Sequence, residues 1–184
     1  MKPPDAADLA VLQRIRELPI PAVPSTPFPI DRMSHGSRLA PKGFTHVHHM
    51  FLPRAAHTLA WLWENACREA DARLRNFLLF YVEQAVWGLS VLARYVPTHY
   101  SQVNQYLSGV YYVGSQPVEV SPRYILGGKA QRLSRDFTLA RWSGGNVMVT
   151  TGDCARVGLP PNSVDYVFTD PPFGENIYYA DLNF

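Results

Sequence analysis

The sequence predicts an α/β protein with a helical N-terminal part and a partial parallel sheet toward its C-terminal end. Two observations carry that reading. Helical periodicity runs between residues 53 and 95, and two short apolar runs, 146–151 and 164–169, are separated by a polar spacer rich in turn residues. A third gives it direction: the second run leads straight into Asp170-Pro171-Pro172-Phe173, and open α/β sheets place their ligand sites in the loops that follow their strands.

The 184 residues fit one domain of ordinary size, long enough to bury about two thirds of the surface exposed by an unfolded chain. A charged fraction of 17%, with 9 Phe, 4 Trp and 10 Tyr, supplies material for a core and excludes a disordered chain. Three regions follow from composition: a Pro-rich segment over 1–43, a helical region with an irregular loop or hairpin over 44–142, and the partial α/β core over 143–184.

In chain order, Leu9, Leu12, Ile15 and Arg16 open the chain with a short amphipathic stretch. The proline density over 19–41 then blocks helix and central strand and predicts an extended path over a surface. Pro53 suits a first helical turn, and Leu59, Leu62, Trp63 and Ala66 follow at helical spacing to about Ala70. A second helix is expected over 72–95, with Leu74, Phe77, Leu78, Tyr81, Ala85, Leu89 and Leu92 on one side and Pro97 as its stop. Residues 98–128 alternate aromatic, β-branched and turn residues, the pattern of a loop or hairpin. A short helix over 129–142 ends at Gly144 and Gly145. The two apolar runs then read as buried parallel strands.

A net charge of +2 is too small to argue nucleic-acid binding by itself. Its distribution is uneven: every basic residue except Arg156 precedes Asp153, whereas Asp153, Asp165, Asp170, Glu175 and Asp181 follow within 29 positions. Any cationic surface therefore lies ahead of the motif. Cys67 and Cys154 form no CxxC pair, which argues against a disulfide scaffold and a cysteine zinc site and suits a reducing cytoplasm. The stretch 77–93 is shorter than the roughly 20 residues of a membrane span and carries Glu83 and Gln84 at its centre, so no membrane partner is expected.

Asp170-Pro171-Pro172-Phe173 resembles the Asp/Asn-Pro-Pro-Tyr/Phe motif of amino-methyltransferases, which methylate exocyclic amines with S-adenosylmethionine. Upstream, Gly152-Asp153-Cys154 and the stretch Leu159-Pro160-Pro161-Asn162-Ser163-Val164-Asp165-Tyr166-Val167-Phe168-Thr169 are similar to the approach to that motif in DNA adenine-N6 and cytosine-N4 methylases. The tail from Gly174 to Phe184 and the segment Thr45-His46-Val47-His48-His49-Met50-Phe51-Leu52-Pro53-Arg54 resemble one large subgroup of bacterial and archaeal DNA methylases. The resemblance is specific over about 150–184 and diffuse over 45–95. It implies a partial Rossmann-like methyltransferase core with a helical N-terminal insertion, S-adenosylmethionine as cofactor and DNA as partner.

The chemistry explains the residue types. An exocyclic amine conjugated to a base is a poor nucleophile. Acceptors for its two N–H groups, the Asp170 carboxylate and the Pro171 carbonyl, favour a pyramidal nitrogen whose lone pair attacks the sulfonium methyl. Asp170 is also placed to take the released proton. Pro171 and Pro172 stiffen the loop and remove competing donors. Phe173 offers a flat face to a base turned out of the duplex. The resemblance puts Gly152 and Asp153 beside the adenosine of the cofactor; for Asn176 and Tyr178, with Tyr179 and Asp181, two roles stand open, lining the pocket of the substrate base or simply packing.

His46, His48 and His49, with His57 and His35 nearby, lack the accompanying Cys or carboxylates of a metal site, so no metal is expected. Arg54, Arg68, Arg73 and Arg75 read mainly as solvated helix faces. No glycine-rich turn of the type Asp-Pro-Phe-x-Gly-x-Gly occurs, so the expected protein is a fragment of a larger enzyme, completed by its missing remainder or by restriction or defence-system subunits. Alternatives are an RNA or protein-amide methyltransferase and an inactive, truncated interaction module.

Overall fold

The computed structural model describes residues 3–19, 21–33, 36–98, 100–103, 111, 113–139, 147–171 and 181. Helix α1, Ala6–Arg16, starts at a capping box in which the Asp5 side chain accepts from the Asp8 N–H and the Asp8 side chain from the Asp5 N–H. It buries none of its residues.

The Pro-rich segment builds core rather than only skirting it. Residues 26–28 pair with the stretch 45–47: Phe28 N–H donates to the Thr45 carbonyl at 2.9 Å and Val47 N–H to the Thr26 carbonyl at 3.0 Å. The path then coils through a 3-10 turn, Ile30–Arg32, the one-turn helix α2, Gly36–Leu39, and a second 3-10 turn, Ala40–Lys42. Gly43 closes that turn at φ 84°, in the left-handed region where a side chain is strained. Phe28, Met33 and Leu39 are buried with Met50, Val91 and Leu92.

Helix α3, Pro53–Cys67, and helix α4, Ala72–Leu89, form a hairpin over the short connection 68–71. Asp71 caps α4 by accepting from the N–H groups of Arg73 and Leu74, which hold its carboxyl below the usual range. Small residues on α3 (Ala55, Ala56, Ala60) admit a close approach, and Ala55 and Leu59 pack with Val82, Ala85 and Leu89 of α4. Trp63, expected on that face, is exposed.

Helix α4 ends at Leu89, short of the expected 95. The Ser90 hydroxyl donates back to the Trp87 carbonyl at 2.7 Å and accepts from the Leu92 N–H at 3.2 Å, and Ser90 is extended. The chain continues as strand β1, Ala93–Val96, antiparallel to β2, Tyr100–Val103, in the register Ala93↔Val103. On its other edge β1 meets 116–118, with Tyr95 N–H donating to Gln116 and Val118 N–H to Ala93.

Helix α5 spans Pro122–Leu139, starting seven residues before the expected 129 and running through Gly127 and Gly128. It packs on α4: the Tyr81 hydroxyl donates to the Leu126 carbonyl at 2.7 Å, and a Cβ on Gly88 would sit 2.6 Å from Ile125 Cδ1. Tertiary packing thus overrides the helix-breaking propensity of the two glycines.

The expected strands do not appear among the described residues. Residues 147–151 and 164–169 have no strand pairing, with Val149 at 89% and Phe168 at 81% exposure. A parallel strand is stabilised only by ladder neighbours and a covering layer, and no described residue provides either. No helix among the described residues is long and apolar enough to cross a membrane.

The unexpected core role of the Pro-rich segment gives a direct check. Leu39, 2% exposed, is expected to cost about 2–5 kcal/mol on truncation to Ala, read by urea denaturation. Leu9→Ala on the exposed face of α1 is expected to change stability by under about 0.5 kcal/mol.

Candidate functional site

The exposed segment 147–171 carries the sequence-expected chemistry. Asp153 sits in a tight turn, where its Oδ1 accepts the Ala155 N–H at 3.0 Å and its carbonyl accepts the Arg156 N–H at 2.9 Å. One carboxylate oxygen is thus engaged locally. Space around Gly152 is open, with no described residue within 4 Å of a Cβ built on it. A second turn follows Pro160-Pro161: Asn162 adopts φ 56°, and the Ser163 hydroxyl donates to the Pro160 carbonyl at 2.7 Å. Asparagine is among the few residues that take this conformation readily.

Asp170 and Pro171 are exposed at the end of this segment. Pro172, Phe173, Asn176, Tyr178 and Tyr179 lie outside the described residues. No backbone hydrogen bond joins the run 147–151 to 164–169, so Asp153 and Asp170 are not brought together by a shared ladder. Asp181, by contrast, is buried at 2%. Burial and the nearby Asp181 charge together raise the Tyr111 phenol above its usual pKa. Asp181 therefore lies near Tyr111, which packs against the core that holds Phe28 and Met50.

The histidine segment is not extended. Val47–Met50 is a 3-10 turn entered through extended His46, and it gathers the rings of His46, His48 and His49 in tilted and edge-on contacts with centroids 4.3 to 5.5 Å apart. Thr45 ties the cluster together: its N–H donates to His49 Nδ1 at 3.2 Å, and its hydroxyl lies 2.9 Å from His46 Nδ1. His49 consequently carries its neutral-state proton on Nε2. His48 Nδ1 is buried with no hydrogen-bond partner among the described residues. No group of three His, Cys, Asp or Glu side chains among the described residues is arranged to hold a metal.

The arginines divide by partner. Arg54 forks onto Glu119, Nε to Oε1 at 2.8 Å and Nη2 to Oε2 at 2.6 Å. Arg75 Nη1 donates to the Glu69 carbonyl, while Arg68 pairs loosely with Glu64 one turn away. A groove absent from the sequence reading lies between α4 and α5. It encloses about 970 Å³ and is lined by Trp87, Tyr124, Gly127, Gly128, Lys129 and Arg132, among others. The signal that could have found it is the spacing of Tyr124, Gly128, Gln131 and Arg132 on one helix face, hidden because the helix was expected to begin only at 129.

No family model, curated protein or solved structure matches the chain.

Burial, with His49 and then His46 beside it, lowers the His48 pKa from its ordinary 6.5. The folded state therefore binds fewer protons than the unfolded state near that pH, and stability falls as pH drops through about 6.5. An NMR titration is expected to give His48 a midpoint below 6.5, with the melting temperature declining between about pH 7 and 5.5. His48→Phe is expected to remove part of that decline. A midpoint at or above 6.5 contradicts the assignment.

Proposed function

We propose that the chain is part of a DNA amino-methyltransferase that transfers methyl from S-adenosylmethionine to an exocyclic amine of adenine or cytosine. The observation that carries this reading is Asp170-Pro171-Pro172-Phe173 directly after an apolar run. Support comes from the exposure of the apolar side chains of 147–151 and 164–169, which suits strands of a Rossmann-like sheet whose neighbours belong to polypeptide outside these residues. That polypeptide, in the same chain or in a partner subunit, supplies the glycine-rich cofactor turn.

The residues present fit one edge of the cofactor. Asp153 keeps a carboxylate oxygen beyond its turn bond, and Gly152 leaves open space beside it. S-adenosylmethionine supplies the electrophilic methyl when bound. The chain's own work falls to Asp170 and Pro171, whose carboxylate and carbonyl oxygens accept the two amine N–H groups and orient the lone pair, with Asp170 taking the proton that leaves. DNA is the favoured substrate because Asp rather than Asn opens the motif. The α4–α5 groove suits an unpaired strand: Trp87 and Tyr124 supply aromatic rings for bases, and Lys129 and Arg132, which share the lining with Glu83, supply cations for phosphates. The free, exposed thiols of Cys67 and Cys154 suit a reducing cytoplasm.

A second reading, a non-catalytic docking module, draws on the same exposed apolar runs. Calorimetry with S-adenosylmethionine separates the two, since one-to-one binding counts against it.

The full-length protein with its natural subunits is expected to label DNA in preference to RNA or protein from methyl-labelled S-adenosylmethionine. Asp170→Ala is expected to lower the rate by about 10²–10³-fold, and undiminished transfer in that variant sinks the assignment. For the groove, anisotropy with single-stranded DNA is expected to show weaker binding for Arg132→Gln, with the slope of log K against log salt reduced by about 0.7. Trp87→Ala is expected to weaken binding by about 1–3 kcal/mol at unchanged slope.

A further inference from the structure

The histidine cluster is one wall of a cleft that the methyl-transfer reading does not use. The cleft has a volume of about 480 Å³, and Arg16, Lys42, His48, His49 and His57 all line it. They arrive from four separate places: the end of α1, the 3-10 turn at Ala40–Lys42, the turn at Val47–Met50, and the first turns of α3. Among the described residues no carboxylate lines the cleft.

Arg16 and Lys42 carry positive charge and three imidazoles stand beside them; converging without a counter-charge among the described residues, they make a field that repels cations and concentrates anions. The hydrogen-bonding state of the wall points the same way. His49, with Nδ1 filled by the Thr45 N–H, presents Nε2–H as a donor. The α3 N-terminus, whose Pro53 and Ala56 also line the cleft, has no side-chain cap from Leu52, so its first N–H groups add to the same field. The rest of the lining is apolar. Phe44 and Phe51 are half-buried, packing against the core and bordering the cleft as well. The volume lies within the range of small-ligand sites.

We propose that this cleft binds a nucleotide, with its phosphate on the cationic groups and its base against Phe44 and Phe51. A free mononucleotide and a nucleotide within a strand offer the same chemistry. The site is independent of the methyl-transfer assignment, since neither Asp153 nor Asp170 lines it.

Calorimetry on the full chain with AMP, adenosine and inorganic phosphate tests the proposal. AMP is expected to bind at least about tenfold tighter than either of the others. Arg16→Gln and His48→Gln are each expected to weaken AMP roughly tenfold, the loss of one charge-assisted hydrogen bond. Arg16 is exposed, so its loss of affinity cannot be put down to unfolding. Arg135→Gln, exposed on α5 and outside both the cleft and the α4–α5 groove, is expected to leave AMP binding unchanged. Competition of AMP by a short DNA oligonucleotide assigns the site to a strand, and lack of competition assigns it to a free nucleotide. Equal affinity for AMP and adenosine, equal affinity for AMP and inorganic phosphate, or AMP binding unaltered in both cleft variants overturns the proposal.

Discussion

The hydrogen bond from the Val91 N–H to the Met50 carbonyl, 2.8 Å long, is the junction on which the helical part depends. It joins the segment that opens α3 to the segment that closes α4, and the bridge Phe51↔Ser90 lies beside it. Phe51 is thereby held between two hydrophobic clusters, one built by the Pro-rich segment and the other by α3 and α4. With 50–51 pinned against 90–91, Ser90 ends α4, β1 starts on a fixed line, and the histidine turn is set immediately before α3. Substitution anywhere along this junction is felt by both clusters at once.

Much of this was legible in the residues. The spacing of Leu59 and Ala66, with Pro53 at the start, reads as α3, and Asp71 before Ala72 is a usual capping residue. The end of α4 was less legible, because Val91, Leu92 and Ala93 continue an apolar periodicity while the chain has turned into a strand; the deciding contact is 41 residues away, at Met50. The start of α5 was hidden by Gly127 and Gly128, whose weak propensity is overcome by packing on Gly88 and Tyr81. The Pro-rich segment misled in another way. Proline excludes regular elements but not burial, and Phe28, Met33 and Leu39 enter the core from irregular backbone.

The candidate catalytic segment obeys a different constraint. Apolar runs such as Val147-Met148-Val149 and Tyr166-Val167-Phe168 are sequences for burial on two faces, yet they stand in solvent among the described residues. Contiguous exposed apolar surface of this kind marks a contact face in proteins that stay soluble. The motif chemistry could be named from residue types, since an amine needs acceptors wherever it is methylated. Its assembly could not, because the distance between Asp153 and Asp170 depends on what the two runs pack against rather than on either residue.

The glycine pair in α5 has a consequence for how that helix holds its shape. Two glycines in a helix interior cost about 2 kcal/mol relative to alanine, and neither has a neighbour within 4 Å that would need the space. Helix α5 is therefore a segment of low local stability, ordered by what touches it on the α4 side and prone to open at its centre ahead of α3 or α4. Anything seated along its open face would suppress that opening, so ligand affinity there and amide-exchange protection of α5 are two measures of one linked equilibrium.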